Sequence, residues 1–287
     1  MAVDNSPSFT AMTAAAARAA HLVVDQPPYI FADTAAAAML GDLAAELVRY
    51  HEDHPGHLVL ATARGQVLCR SRYAEDRLAA AVAAGVRQYV LLGAGLDTFA
   101  YRSSLAGTLA VWEVDHPGTQ AFKRAALAAA QLEVSPSLTL IPCDFGAGAL
   151  ADVLQAGGFD FGLPALISWL GVTMYLDDHA IRDTLAVLAD CAPGTELIVD
   201  YMLPAALRDE TADNYVSQVA AAAAERGEPW LTFAAPAEMA ALLADFGFSR
   251  AEHVRQRDAI PAELWERSDA LRPVDLSMIS RATRQPR

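Results

Sequence analysis

The fold is decided by the stretch Arg87-Gln-Tyr-Val-Leu-Leu-Gly-Ala-Gly-Leu-Asp-Thr-Phe-Ala-Tyr-Arg102. Its apolar part, Tyr89 to Leu92, has no polar alternation, which is typical of a central strand in a parallel sheet that helices cover on both faces. Gly93 and Gly95 follow this strand and allow a tight turn into a helix, whose free N–H groups would face anything bound above the turn. A bare Gly-x-Gly also occurs in turns that bind nothing, so the motif alone leaves both interpretations open.

An acidic residue downstream of the turn favours a ligand site. Asp115 follows the second predicted strand, Leu109 to Val114, and comes 20 residues after Gly95. This spacing is typical of a carboxylate that binds the ribose of an adenosine cofactor. Glu113 is a rival on the same face, but it lies inside the strand rather than at its carboxyl end. A purely structural alternative is that Asp115 caps the helix that begins near Pro117.

The residue at position 98 indicates which kind of adenosine cofactor fits. A dinucleotide fingerprint has a third glycine there, which makes room for the pyrophosphate and for close helix packing. This chain has the β-branched Thr98. The pattern therefore favours a smaller cofactor that has a ribose but no phosphates.

Four motifs follow one another along the chain: Arg70-Ser71-Arg72-Tyr73-Ala74-Glu75-Asp76, Leu92-Gly93-Ala94-Gly95-Leu96-Asp97-Thr98, Glu113-Val114-Asp115-His116-Pro117 and Cys143-Asp144-Phe145. In this order and spacing they resemble the leucine carboxyl methyltransferase-like group of class I S-adenosylmethionine-dependent methyltransferases. The resemblance covers most of the chain from about Ala17 onward. It implies a seven-stranded sheet, S-adenosylmethionine as methyl donor, and methylation of an oxygen atom, often of a carboxylate.

The resemblance also implies roles for individual residues. Gly93 is similar to the glycine under the cofactor, Asp115 to the ribose ligand, and Arg72 to the arginine that holds the methionine carboxylate of the donor. Asp144 and Phe145 resemble the pair beside the adenine. The remaining residues of the expected cofactor site are Ala94, Gly95, Asp97, His116 and Trp169.

One departure from the family pattern limits this transfer. Many relatives have a glutamate just before the run Gly171 to Leu176, whereas this chain has Leu170. No carboxylate after the fourth strand is therefore assigned to the donor.

The sequence offers no obvious general base. A carboxylate acceptor is already an anion at neutral pH and needs none. For a hydroxyl acceptor, the first catalytic candidates are Tyr175, Tyr201 and His179. His51, His54 and His57 lie close together, but no cysteine or carboxylate cluster completes a metal set, so a polar surface loop is the favoured interpretation.

Composition narrows the class of protein further. The chain has 287 residues, 54% of them apolar, and a net charge of −14, which argues against nucleic-acid binding because that function needs clustered Lys and Arg. Cys69, Cys143 and Cys191 are widely spaced and odd in number, which indicates buried thiols rather than a disulfide or metal framework. The sequence shows neither a secretory signal nor an apolar run of membrane-spanning length, so a cytoplasmic location with no membrane partner is expected. It leaves the oligomeric state open.

The pattern of elements predicts an α/β fold, with a doubly wound, mostly parallel, Rossmann-like sheet in a single domain over residues 1–287. Residues 1–85 are expected to form a helical cover over the site, with Tyr29, Ile30 and Phe31 as candidate covering residues or as a hydrophobic staple onto the core. Residues 86–287 are expected to form the cofactor-binding sheet and its helices. The late segments Arg250 to Arg255 and Leu276 to Arg281 are predicted to form an antiparallel edge.

These observations predict an S-adenosylmethionine-dependent O-methyltransferase that acts on a small acidic or phenolic metabolite. An NAD(P)-dependent oxidoreductase on a similar sheet is the enzymatic alternative, and Thr98 opposes it. A nucleoside-binding protein without turnover is the non-enzymatic alternative.

Overall fold

The computed structural model describes residues 8–145 and 149–286. Its seven-stranded sheet has the strand order β3-β2-β1-β4-β5-β7-β6. The strands are β1 (Gln88–Leu92), β2 (Ala110–Asp115), β3 (Leu138–Pro142), β4 (Ala165–Trp169), β5 (Glu196–Met202), β6 (Phe248–Arg255) and β7 (Ser277–Arg284). The pairs formed by β1 to β5 are parallel, and β1 lies between β2 and β4. The prediction of a central first strand in a mostly parallel sheet is confirmed.

Four α-helices come before β1, and the other α-helices of the described residues lie between later strands. The helices are α1 (Phe9–Val24), α2 (Ala36–Met39), α3 (Ala44–Asp53), α4 (Leu58–Ala83), α5 (Phe99–Arg102), α6 (Pro117–Ala129), α7 (Leu150–Ala156), α8 (Asp178–Leu188), α9 (Glu210–Glu225) and α10 (Pro236–Asp245). The predicted start of α7, Gly148, lies outside the described residues. The predicted breaks at the Pro27-Pro28 pair and around Pro55 separate α1, α3 and α4.

The last two strands form the antiparallel edge that the sequence predicted. β7 pairs antiparallel with both β5 and β6, so it lies inside the sheet, and β6 forms the edge. The burial of side chains fits this order, because β7 begins with four buried residues whereas only the first residue of β6 is buried. The connection from β5 to β6 leaves one strand position open, and β7, the antiparallel neighbour of β6, fills it, which a local sequence pattern does not reveal.

Helices cover both faces of the sheet, as expected of a doubly wound fold. Tyr89 and Leu91 pack on one face against the N-terminal helices, in a cluster that includes Leu68 and Leu78 of α4. Alternate residues of the same strand, such as Val90, pack on the opposite face with residues of α7 and α8. This alternation follows from the twofold period of a strand.

Two expectations for buried groups have different outcomes. All three cysteines are buried free thiols, as predicted. Ile30 and Phe31, however, are buried in the core beside the sheet, and Tyr29 is partly exposed. The staple interpretation is therefore correct for Ile30 and Phe31, and the covering residues come from other parts of the N-terminal segment.

Candidate functional site

A cavity of about 770 Å³ lies at the carboxyl ends of the parallel strands. Its floor is formed by the turn after β1 and by residues at the ends of β2 to β5, where ligands bind in open α/β sheets. Its walls come from α1, α3, one face of α4, and α9 with the segment that follows it. The volume is in the usual range of small-molecule sites, roughly 300–1,000 Å³.

The turn after β1 is tied closely to the end of β2. The N–H groups of Gly93 and Ala94 both donate to the Val114 carbonyl, at 2.8 and 3.1 Å. Gly93 has φ +67°, and a Cβ built on it would lie 2.2 Å from Cγ2 of Val172. Only glycine satisfies both constraints, so the backbone itself forms this part of the cavity floor.

Asp115 occupies the position predicted for a ribose ligand. Its Oδ2 accepts from Gly95 N at 2.5 Å and its Oδ1 from His116 N at 2.7 Å. Asp115 and His116 both line the cavity. The cap of α6 is supplied by His116, whose Nδ1 accepts from Gly118 N at 3.3 Å, so the capping alternative does not describe Asp115. Burial raises the pKa of the Asp115 carboxyl, although the hydrogen bonds from the two backbone N–H groups oppose that shift.

The rival carboxylate, Glu113, has a structural environment. Its side chain is fully buried and forms an ion pair with Lys123, which is also fully buried. Glu113 is not among the residues that line the cavity. Since the pair neutralises both charges inside the protein, Glu113 is better explained as part of the β2–α6 packing than as a ligand.

Asp144 and Phe145, directly after β3, also line the cavity, as does Asp97 beyond the glycine turn. Trp169 was expected in the cofactor site, but the structure places it in the core opposite the N-terminal helices, with 1% of its surface exposed. Its neighbours Ser168 and Leu170 line the cavity instead. Successive residues of a strand point to opposite faces, so a shift of one position exchanges core for cavity.

Of the two neighbouring arginines of α4, Arg70 lines the cavity and the predicted Arg72 does not. Arg72 is partly exposed and pairs with Asp76 at 2.6 Å on the solvent side of α4. Arg70 lies at the cavity wall and pairs with Asp200 of β5, with 3.2 Å between Nη1 and Oδ2. Two residues along a helix correspond to a rotation of about 200°, which carries the side chain to the other face.

Asp200 and Gly171 hold Arg70 in place. The buried Asp200 carboxylate accepts from Gly171 N at 2.6 Å while it also contacts the guanidinium. Gly171 has φ +73°, and a Cβ there would lie 2.4 Å from Nη2 of Arg70. Sequence reasoning missed Asp200, although a carboxylate after three apolar residues of β5 was an available signal.

The three catalytic candidates are not brought together. Tyr175 lines the cavity, and burial raises the pKa of its phenol, so it is a protonated hydrogen-bond donor at neutral pH. Tyr201 lies in the core, where its hydroxyl contacts His253 Nδ1 at 2.9 Å. His179 is largely exposed and lies 3.3 Å from Asp183. Neither Tyr201 nor His179 lines the cavity.

A further carboxylate, Glu75 of α4, lies near the glycine turn. It lines the cavity and forms an ion pair with Arg102. Burial raises its pKa to about 7, and the nearby carboxylates of Asp97 and Asp33 add to the shift, while Arg102 opposes it. Glu75 and Asp97 make this end of the cavity favourable for a cationic ligand group.

On the α3 side of the cavity, His51 is buried and lines the wall. It belongs to α3, and its Nδ1 contacts Arg64 Nη1 at 3.1 Å. The surface-loop interpretation is therefore wrong for His51, whereas His54 and His57 are exposed. Helix α3 includes the first three residues of the His-rich segment and places His51 on its inner face.

Neither a metal-ligand cluster nor a membrane-spanning helix is found among the described residues. Residues 8–145 and 149–286 contain no group of three or more His, Cys, Asp or Glu side chains arranged to hold a metal ion. Among the helices formed by those residues, none has the length and apolarity needed to cross a membrane.

Comparison with known proteins identifies the family. The family model described as leucine carboxyl methyltransferase matches residues 11–189. The Bacillus subtilis protein "Putative S-adenosyl-L-methionine-dependent methyltransferase YktD" is 30% identical over 276 residues, which cover 88% of this chain and 90% of that protein. The Mycobacterium tuberculosis protein Rv3787c, which has the same description, is 33% identical over 208 residues, or 68% of this chain and 65% of its own length.

Solved structures share the fold. A crystal structure from Thermobifida fusca YX, described as a "putative methyltransferase", has a TM-score of 0.61 at 19% identity and covers 99% of this chain and 97% of its own. A DUF574 family protein from Streptomyces avermitilis has a TM-score of 0.59 at 19% identity, with coverage of 94% and 97%. The chain thus belongs to the leucine carboxyl methyltransferase-like family of class I S-adenosylmethionine-dependent methyltransferases, as the four sequence motifs predicted.

Proposed function

We propose that the chain transfers a methyl group from S-adenosylmethionine to an oxygen atom of a small-molecule acceptor. The single observation that carries this proposal is one cavity lined by Gly93, Asp115, Asp144 and Arg70 at the carboxyl ends of the strands. The cavity also extends well beyond these residues, toward α3 and α9. A second reactant has room there.

The residues that line the cavity match the proposed cofactor group by group. The Asp115 carboxylate can accept from the two ribose hydroxyls, and Asp144 with Phe145 can accept from the adenine amino group and pack against its ring. Arg70 supplies a cation for the methionine carboxylate, while Glu75 and Asp97 offer negative charge for its ammonium group. Thr98 at the third-glycine position opposes a dinucleotide, and the family assignment agrees.

When bound, S-adenosylmethionine supplies an electrophilic methyl group on a sulfonium. The methyl–sulfur bond breaks as a methyl–oxygen bond forms, and the bonding pair remains on sulfur. With a carboxylate acceptor, a cation and an anion become a neutral thioether and a neutral ester, so no proton has to move. The residues of the chain then need only align the reactants and exclude water, which can contribute several kcal/mol.

Tyr175 is the residue best suited to orient the acceptor oxygen. Its phenol is protonated and lines the cavity, and the charge of Arg70 acts on it. A neutral donor can hold one oxygen of a carboxylate while the other oxygen attacks the methyl group. Tyr175 would therefore act as a hydrogen-bond donor and not as a general base, which agrees with a carboxylate acceptor.

Calorimetric titration of the purified protein with S-adenosylhomocysteine, NAD and NADP tests the cofactor. Saturable binding of S-adenosylhomocysteine alone is expected. The acceptor oxygen is tested by transfer of labelled methyl from S-adenosylmethionine to carboxylic acids and to phenols. Label that base releases from the product indicates a methyl ester. Donor binding without labelled product across both classes would favour a nucleoside-binding protein, and binding of a dinucleotide in its place would overturn the proposal.

A further inference from the structure

The part of the cavity wall formed by α3 and the first half of α4 has a different lining from the part beside the glycine turn, where the methyl donor is proposed to bind and which is called the donor end. On α3 it includes Leu47 and His51, and on α4 it includes Leu60, Ala63 and Val67. These spacings place each set on one face of its helix. The lining is mostly apolar, and His51 is a polar exception whose side chain is nine-tenths or more buried.

The contacts of His51 determine which ring nitrogen carries the proton. Arg64 is only a hydrogen-bond donor, so His51 Nδ1, at 3.1 Å from Arg64 Nη1, must be the acceptor. A neutral imidazole then carries its proton on Nε2. Within the described residues no partner accepts that proton. His51 therefore has one hydrogen-bond donor left, at a side chain that lines the cavity.

Arg64 is itself fixed by a buried network. Its Nε and Nη2 donate to the two Asp25 oxygens at 3.0 and 3.1 Å, and Nη2 also donates to the Pro55 carbonyl at 2.7 Å. Asp25 contacts His21 Nδ1 at 2.9 Å, and His21 Nε2 accepts from Ile30 N at 3.0 Å. The Asp25 carboxylate partly offsets the effect of the Arg64 charge on His51, but burial and Arg64 together keep the imidazole neutral. Burial, followed by the Arg64 charge, lowers the pKa of His51 to about 4.

The rise along α4 from Arg64 to Arg70 indicates how far His51 lies from the donor end. Arg64, which contacts His51, precedes Arg70 by six residues, a rise of about 9 Å. Between these two positions Gln66 and Val67 line the cavity wall. An acceptor that reacts at the donor end and reaches His51 must therefore be elongated and mostly apolar.

We propose that His51 is a specificity-determining residue whose Nε2–H donates to an uncharged oxygen at the far end of an elongated, largely apolar acceptor. The proposal rests on the proposed methyltransferase function and adds the class of acceptor. A carbonyl or ether oxygen fits this position better than an anion, because a single neutral N–H cannot compensate a buried charge. The methylated oxygen lies at the opposite end of the same molecule.

A matched pair of ligands and a matched pair of variants test this proposal. The ligands are 3-(4-acetylphenyl)propanoic acid and its isostere 3-(4-isopropylphenyl)propanoic acid, with the acetic and butanoic homologues of both to cover chain length. Each is titrated into the complex of the protein with S-adenosylhomocysteine. The variants are His51→Phe, which removes the donor, and His51→Gln, whose amide N–H can replace Nε2–H. Circular dichroism and S-adenosylhomocysteine affinity establish that each variant is folded.

The measured quantity is the ratio of the affinities for the acetyl and isopropyl ligands, which cancels general effects of each substitution. In the wild type the acetyl ligand of the best chain length should bind more tightly. The ratio should fall about tenfold in His51→Phe, the equivalent of one hydrogen bond, and should be largely retained in His51→Gln.

Three results would overturn the proposal. The first is an unchanged ratio in His51→Phe, which would make the buried network a purely structural link between α1, α3 and α4. The second is an equal loss of the ratio in His51→Gln and His51→Phe. The third is failure of every ligand to bind while S-adenosylhomocysteine still binds, which removes the acceptor class but leaves the methyltransferase assignment intact. Failure of S-adenosylhomocysteine itself to bind would instead contradict the proposed function.

Discussion

At the scale of single residues, the two acidic side chains of β2 lie on one face of the strand, and their positions along it separate their roles. Asp115 lies at the carboxyl end of β2 and lines the cavity, whereas Glu113 is buried against Lys123. Both were compatible with the sequence spacing. Their surroundings now make distinct predictions for the two.

Asp115→Asn keeps the shape of the side chain but removes the charge that accepts from the ribose hydroxyls. We expect a loss of about 1.5–3 kcal/mol, or roughly ten- to hundredfold, in affinity for S-adenosylhomocysteine measured by calorimetry. Glu113→Gln is the control. It should change donor affinity much less but should lower the free energy of unfolding, because it leaves the buried Lys123 unpaired. The opposite pattern would make Glu113 the ligand.

The two arginines of α4 provide a second matched pair. Arg70→Ala should weaken S-adenosylhomocysteine binding roughly tenfold or more, because a charge-assisted bond to the methionine carboxylate contributes about 1.5–3 kcal/mol. Arg72→Ala should have little effect, since that side chain pairs with Asp76 at the surface. Calorimetric titration of both variants measures this difference. If Arg72→Ala proved the more damaging change, the residue transfer from the family resemblance would be correct as first made.

At the scale of elements, α4 links the two ends of the cavity. One face of this helix carries Ala63, Gln66, Val67, Arg70 and Ala74 along the cavity wall. On another side it holds Arg64, which joins α1 and α3 through Asp25 and His51. The helix therefore positions the proposed donor contacts and the proposed acceptor contacts on one rigid frame.

The α3–α4 contact predicts a pH dependence of stability. Because the pKa of His51 is lowered from its ordinary 6.5 to about 4, the unfolded chain binds this proton more readily than the folded protein does. The stability that depends on neutral His51 is thus fully present above pH 6.5 and is lost as pH falls toward 4, by about 3 kcal/mol at most.

Comparison with His51→Gln isolates this effect from other titrating groups, such as Glu75. Urea unfolding of both proteins between pH 7 and pH 4 should show the wild type losing stability relative to the variant. A difference between the two that is independent of pH would mean that burial and the Arg64 charge do not hold His51 neutral.

At the scale of the whole molecule, distant parts of the chain meet over the cavity. Ser8 Oγ donates to Glu228 Oε1 at 2.6 Å, and Thr10 N donates to Glu228 Oε2 at 3.1 Å. Arg226 lies over the ring of Phe9, 4.3 Å from its centroid. The start of α1 and the segment after α9 thus close one side of the cavity together.

Glu228→Gln should loosen this closure, because it weakens the charge-assisted bonds at the start of α1. We expect faster amide hydrogen exchange over residues 9–13 and little change in the strands of the sheet. Glu225→Gln, at an exposed position at the end of α9, is the control. Equal exchange in the wild type and in both variants would show that apolar contacts alone hold α1 in place.

The sequence by itself determined the elements and the location of the site. Apolar runs and glycine turns are local signals, so β1, β3 and β4, the alternation of strands and helices, and the family were all predictable. Gly93, Asp115 and Asp144, at or just beyond the strand ends, were placed together because the carboxyl ends of parallel strands meet at one edge of the sheet, and all three line the cavity.

Only the tertiary structure decided which side chains share the cavity. Arg70 and not Arg72 lines the cavity, and Trp169 lies in the core while its neighbours line the cavity, so a shift of one or two positions changed each assignment. Asp200 and His51 also line the cavity. The same applies to β7, whose place between β5 and β6 depends on pairings between distant segments. The rotation of a helix and the order of strands are set by packing against residues far away in sequence, and a local pattern does not contain that information.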